Sequence, residues 1–188
     1  MTIVTIMGSP RKNGNTATVL KAFEALACAK GIVHRVDAAV MKIAGCRGCD
    51  ACQRNLDLPG CVQKDDMVAI LETIIAADMV VYAAPVYVWD FPAQMKSLVD
   101  RHYCLVKNTT DGRTRHLIEG KRTVLLTTCG GTAEDNADLL RSIFEREMDY
   151  LRCRVVGEYV VPLCTLPSEL GARGEEMARQ MFTELFIK

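Results

Sequence analysis

Cys46, Cys49, Cys52 and Cys61 stand in one short stretch, separated by two, two and eight residues. Three thiolates within seven residues can wrap one face of a [4Fe–4S] cube, with a fourth arriving from beyond a short loop. Gly45, Gly48 and Gly60 give the backbone freedom for such a wrap. A structural zinc site is a second chemistry, although zinc usually splits its ligands into two separated pairs. Free or redox-switching thiols are a third. Metal coordination has one physical argument of its own, since four bare thiolates on so short a loop would repel one another. Spacing alone leaves the three open.

A second constellation is the run Gly8-Ser9-Pro10-Arg11-Lys12-Asn13-Gly14-Asn15-Thr16, which follows an apolar β-rich stretch and precedes a helical pattern. A helix N-terminus placed there offers unpaired N–H groups and a positive dipole end to an anion. Ser9, Asn15 and Thr16 add side-chain donors, and Gly14 permits close backbone approach. The run is not a Walker A loop, because Asn15 stands where lysine is required, and it is neither GxGxxG nor GxSxG. A tight turn with a good helix cap is the competing reading.

Two further loops carry unusual residues. Pro85-Val86-Tyr87-Val88-Trp89-Asp90-Phe91-Pro92 sets aromatics at alternate positions, which suits stacking on a flat ring system. Trp89 and Phe91 could equally cover a helix or form a subunit contact. Thr128-Cys129-Gly130-Gly131 leaves backbone groups open to the edge of a ligand.

The elements that must position these loops alternate regularly. Apolar strands are expected at Thr2–Met7, Ile32–Asp37, 78–84, Arg122–Thr128 and Arg154–Val161. Helical stripes fall at 17–30, from Met67 to Ile75 with Asp65 and Asp66 as caps, at 92–103, from Leu139 to Met148 and from Met177 to Phe186. Continuous Val/Ile/Leu-rich strands separated by helices imply a parallel sheet buried on both faces. Five such units favour a doubly wound sheet of order 2-1-3-4-5, with ligands at the carboxyl ends of the strands. The loops after strands 1, 3 and 4 then meet in one crevice.

The chain of 188 residues, 49% apolar, suits a single domain over 1–188 with a cysteine-rich insertion loop at about 38–64. Its 23 basic and 23 acidic residues give a formal net charge of zero, so neither nucleic acid nor an anionic membrane is an expected partner. Met1 to Met7 is too short for a signal peptide, and no apolar stretch reaches spanning length, so a cytoplasmic location is expected. The other five cysteines, Cys28, Cys104, Cys129, Cys153 and Cys164, are scattered, and most of them read as small buried hydrophobes. His34, His102 and His116 have no partner at informative spacing. Asp37 ends a strand, but the glycine fingerprint that would give it a ribose to bind is missing. Residues 107–115 read as a solvated loop.

GSPRKNGNT, APVYVWDFPAQMK and TTCGG together resemble the NADPH-dependent FMN reductases and iron–sulfur flavoproteins of the flavodoxin-like superfamily, over nearly the whole chain. The resemblance implies a flavodoxin-like fold and FMN as cofactor. It implies that Ser9, Arg11, Gly14, Asn15 and Thr16 hold the phosphate. Pro85, Val86, Tyr87, Val88 and Trp89 would border the isoalloxazine, with Cys129, Gly130 and Gly131 on its other side. Iron–sulfur flavoproteins carry a compact four-cysteine motif after strand 2, onto which Cys46, Cys49, Cys52 and Cys61 map, with the gap of eight at the long end. Cluster-free relatives share a CxxCxxC ahead of a helix start like Lys64-Asp65-Asp66-Met67.

The function expected first is therefore electron transfer between FMN and a [4Fe–4S] cluster, serving a redox partner protein or a small-molecule acceptor. The second is NAD(P)H-dependent reduction of flavin or quinone with FMN alone, and the third a non-catalytic FMN-binding interaction protein. Hydride and electron transfer are the flavin's own chemistry, so no protein acid or base is required. Relatives of this size commonly complete the flavin site with a second chain, which implies a homodimer or a dimer of dimers.

Overall fold

The computed structural model describes residues 1–187. Five parallel strands form the central sheet: β1 (Thr2–Met7), β2 (Ile32–Asp37), β3 (Met79–Pro85), and the later strands β6 (Arg122–Thr128) and β7 (Arg154–Val161). Their spatial order is β2-β1-β3-β6-β7, which is the expected 2-1-3-4-5 counted over the sheet strands. The remaining strands, β4 (Val106–Asn108) and β5 (Thr114–His116), form a separate antiparallel hairpin. The helices are α1 (Asn15–Ala27), α2 (Met67–Ala76), α3 (Ala93–Val99), α4 (Ala133–Asn136), α5 (Asp138–Tyr150), α6 (Pro167–Leu170) and α7 (Arg173–Phe186).

Strand alternation divides the core between the two faces of the sheet. Val4, Ile6, Val80 and Tyr82 face one way, against Met67, Ile70 and Leu71 of α2, Met95 and Leu98 of α3, and Leu140, Phe144 and Met148 of α5. Ile3, Met7, Val81 and Leu126 face the other way, against Val19, Leu20 and Phe23 of α1 and Ala178, Met181 and Leu185 of α7. Every one of these side chains is buried, which is why the strands read as continuous apolar runs. No helix among the described residues is long and apolar enough to cross a membrane.

Three local expectations need correction. The helix expected over 92–103 ends at Val99 and tightens into a 3-10 turn, Asp100–Leu105, that turns Arg101, His102 and Cys104 into the interior. Residues 108–115 are largely exposed, as expected, around the tip of the β4–β5 hairpin, but Lys107 is fully buried, its ammonium donating to the carbonyls of Cys52 and Pro59, each at 2.9 Å. Asp66, at the N-cap of α2, makes no side-chain cap; its carboxylate accepts from the Lys42 N–H at 2.7 Å. Asp65 does cap α2 as expected, accepting from the Met67 N–H at 3.2 Å, and its other oxygen accepts from the Ala44 N–H at 3.0 Å. The two aspartates thus clamp the cysteine loop to the start of α2.

That loop has one short helical turn of its own, Ala51–Arg54, and is otherwise irregular. Side-chain hydrogen bonds, from Arg101 outside the loop and Gln53 within it, replace the backbone ladder it lacks, because buried polar groups need partners wherever they come from. Arg101 donates to the Ala44 carbonyl at 2.8 Å, and Gln53 ties the loop to β4 through the Val106 carbonyl at 2.9 Å and the Asn108 N–H at 2.9 Å.

Candidate functional site

The carboxyl ends of β1, β3, β6 and β7 open into a cleft of about 200 Å³. Ser9, Arg11, Gly14, Asn15 and Thr16 line it from the β1–α1 loop, Pro85, Val86 and Tyr87 from the β3 loop, and Cys129 and Gly130 from the β6 loop. Thr128, Cys164 and Thr165 complete the wall. The last two come from the loop after β7, where neither composition nor spacing marked a site. Thr128 opens the Thr128-Cys129-Gly130-Gly131 run that the sequence marked for its open backbone, but its side chain was not singled out.

The cradle follows from how α1 begins. Gly14 is its N-cap, with φ −80° and ψ 176°, and the first intrahelical bond runs from the Thr18 N–H to the Gly14 carbonyl at 3.0 Å. The N–H groups of Asn15, Thr16 and Ala17 therefore have no carbonyl to meet within the helix, and they form the positive end of its dipole. A Cβ at Gly14 would sit 3.1 Å from the Arg11 Cβ and crowd this turn. The Arg11 N–H donates to Ser9 Oγ at 3.1 Å, while the exposed Arg11 side chain adds a positive charge at the rim.

The rest of the cleft is neutral and cross-braced. Thr16 and Thr128 share a hydroxyl hydrogen bond of 2.7 Å, and Asn15 Nδ2 donates to the Cys164 carbonyl at 2.5 Å. Asn15 Oδ1 is buried without a protein partner, an acceptor suited to a ligand hydroxyl. Burial, with the neighbouring Cys164 sulfur, pushes the Cys129 thiol up to about 11, and burial also raises Cys164. Both therefore stay protonated at neutral pH. An anion is favoured at the α1 end, and an uncharged ring at the other.

Between Tyr87 and Asp90 the chain closes a tight turn in which each N–H meets the other's carbonyl, at 2.9 and 3.1 Å. Val88 and Trp89 occupy it with φ of 51° and 62°. Left-handed backbone in non-glycine residues costs of order 1–3 kcal/mol each, most readily tolerated where a ligand or partner uses the loop. Val88, Trp89 and Gly131 do not line the cleft: Trp89 Nε1 donates to the Asp135 carbonyl of α4 at 3.1 Å, and the Gly131 N–H is held by Asn136 Oδ1 at 3.0 Å. Phe91 turns inward and is buried in the core, so it is not available for stacking on a ligand.

Glu169 holds the unanticipated wall. Its Oε2 accepts from the N–H groups of Thr165 and Leu166, at 2.7 and 2.8 Å. Glu169→Ala should free that loop, weakening retention of a ligand in the cleft by roughly tenfold, about the 1.4 kcal/mol of one charge-assisted hydrogen bond. Side-by-side ligand titrations of variant and parent check this, and equal affinities would show that the loop needs no such tether.

The four clustered cysteines are not gathered. Cys46 and Cys49 are exposed, Cys61 is half-buried and Cys52 is buried. Among the described residues, no group of three or more His, Cys, Asp or Glu side chains is arranged to hold a metal ion. Instead Cys52 shares a core cluster with Cys104, a residue the sequence offered only as a small hydrophobe, and Cys61 packs against that cluster. Burial, then the two neighbouring sulfurs, keeps the Cys104 thiol well above its usual range. His102 is also buried, with Nδ1 2.5 Å from Glu147 Oε1 and its ring edge-on to Tyr82, so it stays a core histidine.

A family model described as NADPH-dependent FMN reductase matches residues 1–165. An iron-sulfur flavoprotein of Methanosarcina thermophila is 41% identical over 108 residues, which cover 56% of this chain and 54% of that protein. One from Archaeoglobus fulgidus is 39% identical over 102 residues, covering 54% of this chain and 45% of the relative. The chain thus spans about half the length of the curated relatives it matches. Among solved structures, the NAD(P)H:quinone oxidoreductase from Methanothermobacter marburgensis superposes with a TM-score of 0.76 at 22% identity, over 99% of this chain and 96% of that one. At that identity the superposition speaks to the flavodoxin-like fold alone. By the match over residues 1–165, this chain belongs to the NADPH-dependent FMN reductase family.

Proposed function

We propose that the cleft binds FMN and that the protein is an NAD(P)H-dependent oxidoreductase passing electrons to a flavin, a quinone or a similar small acceptor. The observation that carries this reading is the cleft's polarity. Its α1 end presents free N–H groups and Arg11 to an anion, while its β3 and β6 loops offer a neutral, partly apolar slot. A phosphate monoester attached to a flat, uncharged ring system fits that division.

In this reading Ser9, Gly14, Asn15 and Thr16 hold the phosphate, with Arg11 at its rim. Asn15 Oδ1 accepts from the ribityl chain, and Pro85, Val86, Tyr87, Cys129 and Gly130 border the ring. Trp89 and Gly131 act behind this layer by tying the loops to Asp135 and Asn136, while Val88 stands exposed at the mouth. When bound, FMN supplies hydride acceptance and one- or two-electron transfer. The protein's part is position, a neutral ring environment and an anchored phosphate. The test is anaerobic mixing of the FMN-loaded protein with NADPH or NADH. Bleaching of the oxidised flavin supports the reading, whereas bound flavin that neither nucleotide reduces favours a non-catalytic FMN-binding protein.

A second reading adds a [4Fe–4S] cluster on Cys46, Cys49, Cys52 and Cys61, exchanging electrons with FMN. The cysteine spacing and the relatives named iron-sulfur flavoprotein favour it. The present thiol arrangement does not fit a four-ligand site, so no step is derived through a cluster. The reading requires the exposed Cys46 and Cys49 to close onto the other two. Protein produced anaerobically with ample iron and sulfide decides: flavin without iron leaves the FMN-only oxidoreductase.

A homodimer, or a dimer of dimers, is part of the same proposal. Tyr87, Val88 and Trp89 are 39%, 87% and 50% exposed at the cleft mouth, an apolar strip that a second chain would cover. Sedimentation at working concentration should show a species of at least two chains, and a monomer would refute this part.

A further inference from the structure

A second cavity, of about 710 Å³, opens at the carboxyl ends of β1 and β2. Ser9 lines both this cavity and the flavin cleft, so the β1–α1 loop forms a wall between them. In open parallel sheets, ligands bind outside the carboxyl ends of the strands, and a volume of this size is one that small-molecule sites have. Its charged wall is braced. Glu24 of α1 accepts from the buried Thr5 hydroxyl at 2.5 Å and from Arg35 Nη1 at 3.0 Å. Arg35 also holds Asp37 Oδ1 through Nε and Nη2, each at 3.0 Å. One cation thus serves two carboxylates, and the trio keeps one net negative charge. Both Arg35 contacts end on Oδ1, and the Asp37 side chain is 44% exposed, so Oδ2 is open to a donor from a ligand. The β1–α1 side of the rim carries Lys12 and Lys21, both exposed, with the Lys21 ammonium donating to Asn13 Oδ1 at 3.3 Å and the Lys12 carbonyl at 3.4 Å. Met7, Pro10 and Val40 supply apolar lining.

We propose that this cavity binds a ribonucleoside monophosphate, with its phosphate at Lys12 and Lys21, its ribose hydroxyls donating to Asp37 Oδ2 and its base against Pro10 and Val40. The three parts of the ligand answer the three kinds of lining. Two ammonium groups attract a phosphate as point charges. A carboxylate at the end of the second strand is where doubly wound folds receive a ribose diol. The glycine fingerprint that usually accompanies such an acid is missing because the start of α1 turns its N–H groups to the flavin cleft, and the lysines take over the anion. A metal ion is the poorer occupant, since Glu24 and Asp37 are already engaged by Arg35. The nucleotide has two sources, a free mononucleotide or the AMP half of a pyridine dinucleotide whose other half crosses Ser9 into the flavin cleft. The second source rests on the NAD(P)H-dependent reading above; the first does not.

To test it, FMN-loaded protein is titrated calorimetrically with AMP and, in parallel, with adenosine. The expected result is saturable AMP binding at roughly millimolar concentration or below, at least roughly tenfold tighter than adenosine, with the flavin still bound. The double variant Lys12→Gln/Lys21→Gln should erase the advantage of AMP over adenosine. Val40→Glu should weaken both ligands, since it sets a carboxylate on the wall meant for the base. All three positions are exposed, so the fold should survive, which circular dichroism checks. No saturable binding at millimolar AMP, binding unchanged in both variants, or AMP that expels FMN would each overturn the proposal. The source is read from NADH oxidation. AMP that raises the KM for NADH at constant kcat identifies the cavity as the dinucleotide's adenosine end, and AMP that binds without moving KM identifies a free-nucleotide site. If the protein holds no FMN, the flavin reading fails by itself, and the same titration is made on the flavin-free chain. AMP binding lost in the double lysine variant then supports the cavity, and binding retained there places AMP in the α1 cradle and overturns it.

Discussion

Gly14→Val is expected to weaken FMN retention by at least roughly 100-fold, about 2.7 kcal/mol, while leaving the fold intact. The backbone at Gly14, φ −80° and ψ 176°, is one that a β-branched residue adopts without strain. The substitution therefore acts through space, since the new Cβ stands 3.1 Å from that of Arg11 and its methyl groups fill the turn meant for a phosphate. The N–H donors at the start of α1 remain, but the anion can no longer reach them. Fluorescence titration with FMN, beside circular dichroism to confirm folding, checks this. A folded variant with the parent's affinity would place the phosphate elsewhere.

The second large effect is expected at Arg101, far from the cleft chemistry. Its side chain is 1% exposed and meets Asp65 at 2.7 and 3.1 Å, the Ala44 carbonyl at 2.8 Å and the Cys61 sulfur at 3.2 Å. Arg101→Met removes one partner of an ion pair withdrawn from water, which typically costs about 3–5 kcal/mol because the remaining charge is left uncompensated. Denaturant midpoints should fall accordingly, with FMN affinity largely preserved. The pair also sets an acid limit. The Arg101 hydrogen bonds hold the Asp65 carboxyl below its usual value, against burial, which acts the other way. A depressed folded value gives stability that is complete above the ordinary aspartate range of about 3.9 and is lost as pH falls through the lowered value. Asp65→Asn should therefore flatten the acid side of the stability profile. An Arg101→Met midpoint equal to the parent's would contradict this account of the loop.

The sheet was legible because its signal is local. A parallel strand buried on both faces must be apolar throughout, so Thr2–Met7 and Arg122–Thr128 announce themselves with their boundaries, while the partly exposed edge strands Ile32–Asp37 and Arg154–Val161 carry a weaker, mixed pattern. The Ser9–Thr16 cradle was legible for a related reason, since helix starts and glycine turns are written in neighbouring residues. What escaped was set by distance in sequence. Cys164 and Thr165 reach the cleft from a loop with no composition of its own, 149 residues from Asn15 in the Asn15–Cys164 contact.

Charge misled in the same way. Lys107 and Asp65 look like solvated residues until the fold supplies the carbonyls, the N–H groups and the guanidinium that they serve. The cysteine spacing suggested one ligand set, yet the packing puts Cys52 in the same core cluster as Cys104, with Cys61 against it, although Cys104 lies more than forty positions further along the chain. No pattern within the loop could have named that third thiol. Trp89 shows the converse: its place beside Tyr87 suggested a ring contact, but a left-handed turn aims its indole at α4.

The most direct measurement is an equilibrium titration of flavin-free protein with FMN, followed by flavin fluorescence, with riboflavin titrated in parallel. The account predicts FMN binding at micromolar concentration or tighter, and much weaker binding of riboflavin, because riboflavin lacks the phosphate that the α1 cradle receives. FMN that fails to bind at micromolar concentration, or riboflavin that binds equally well, would contradict it.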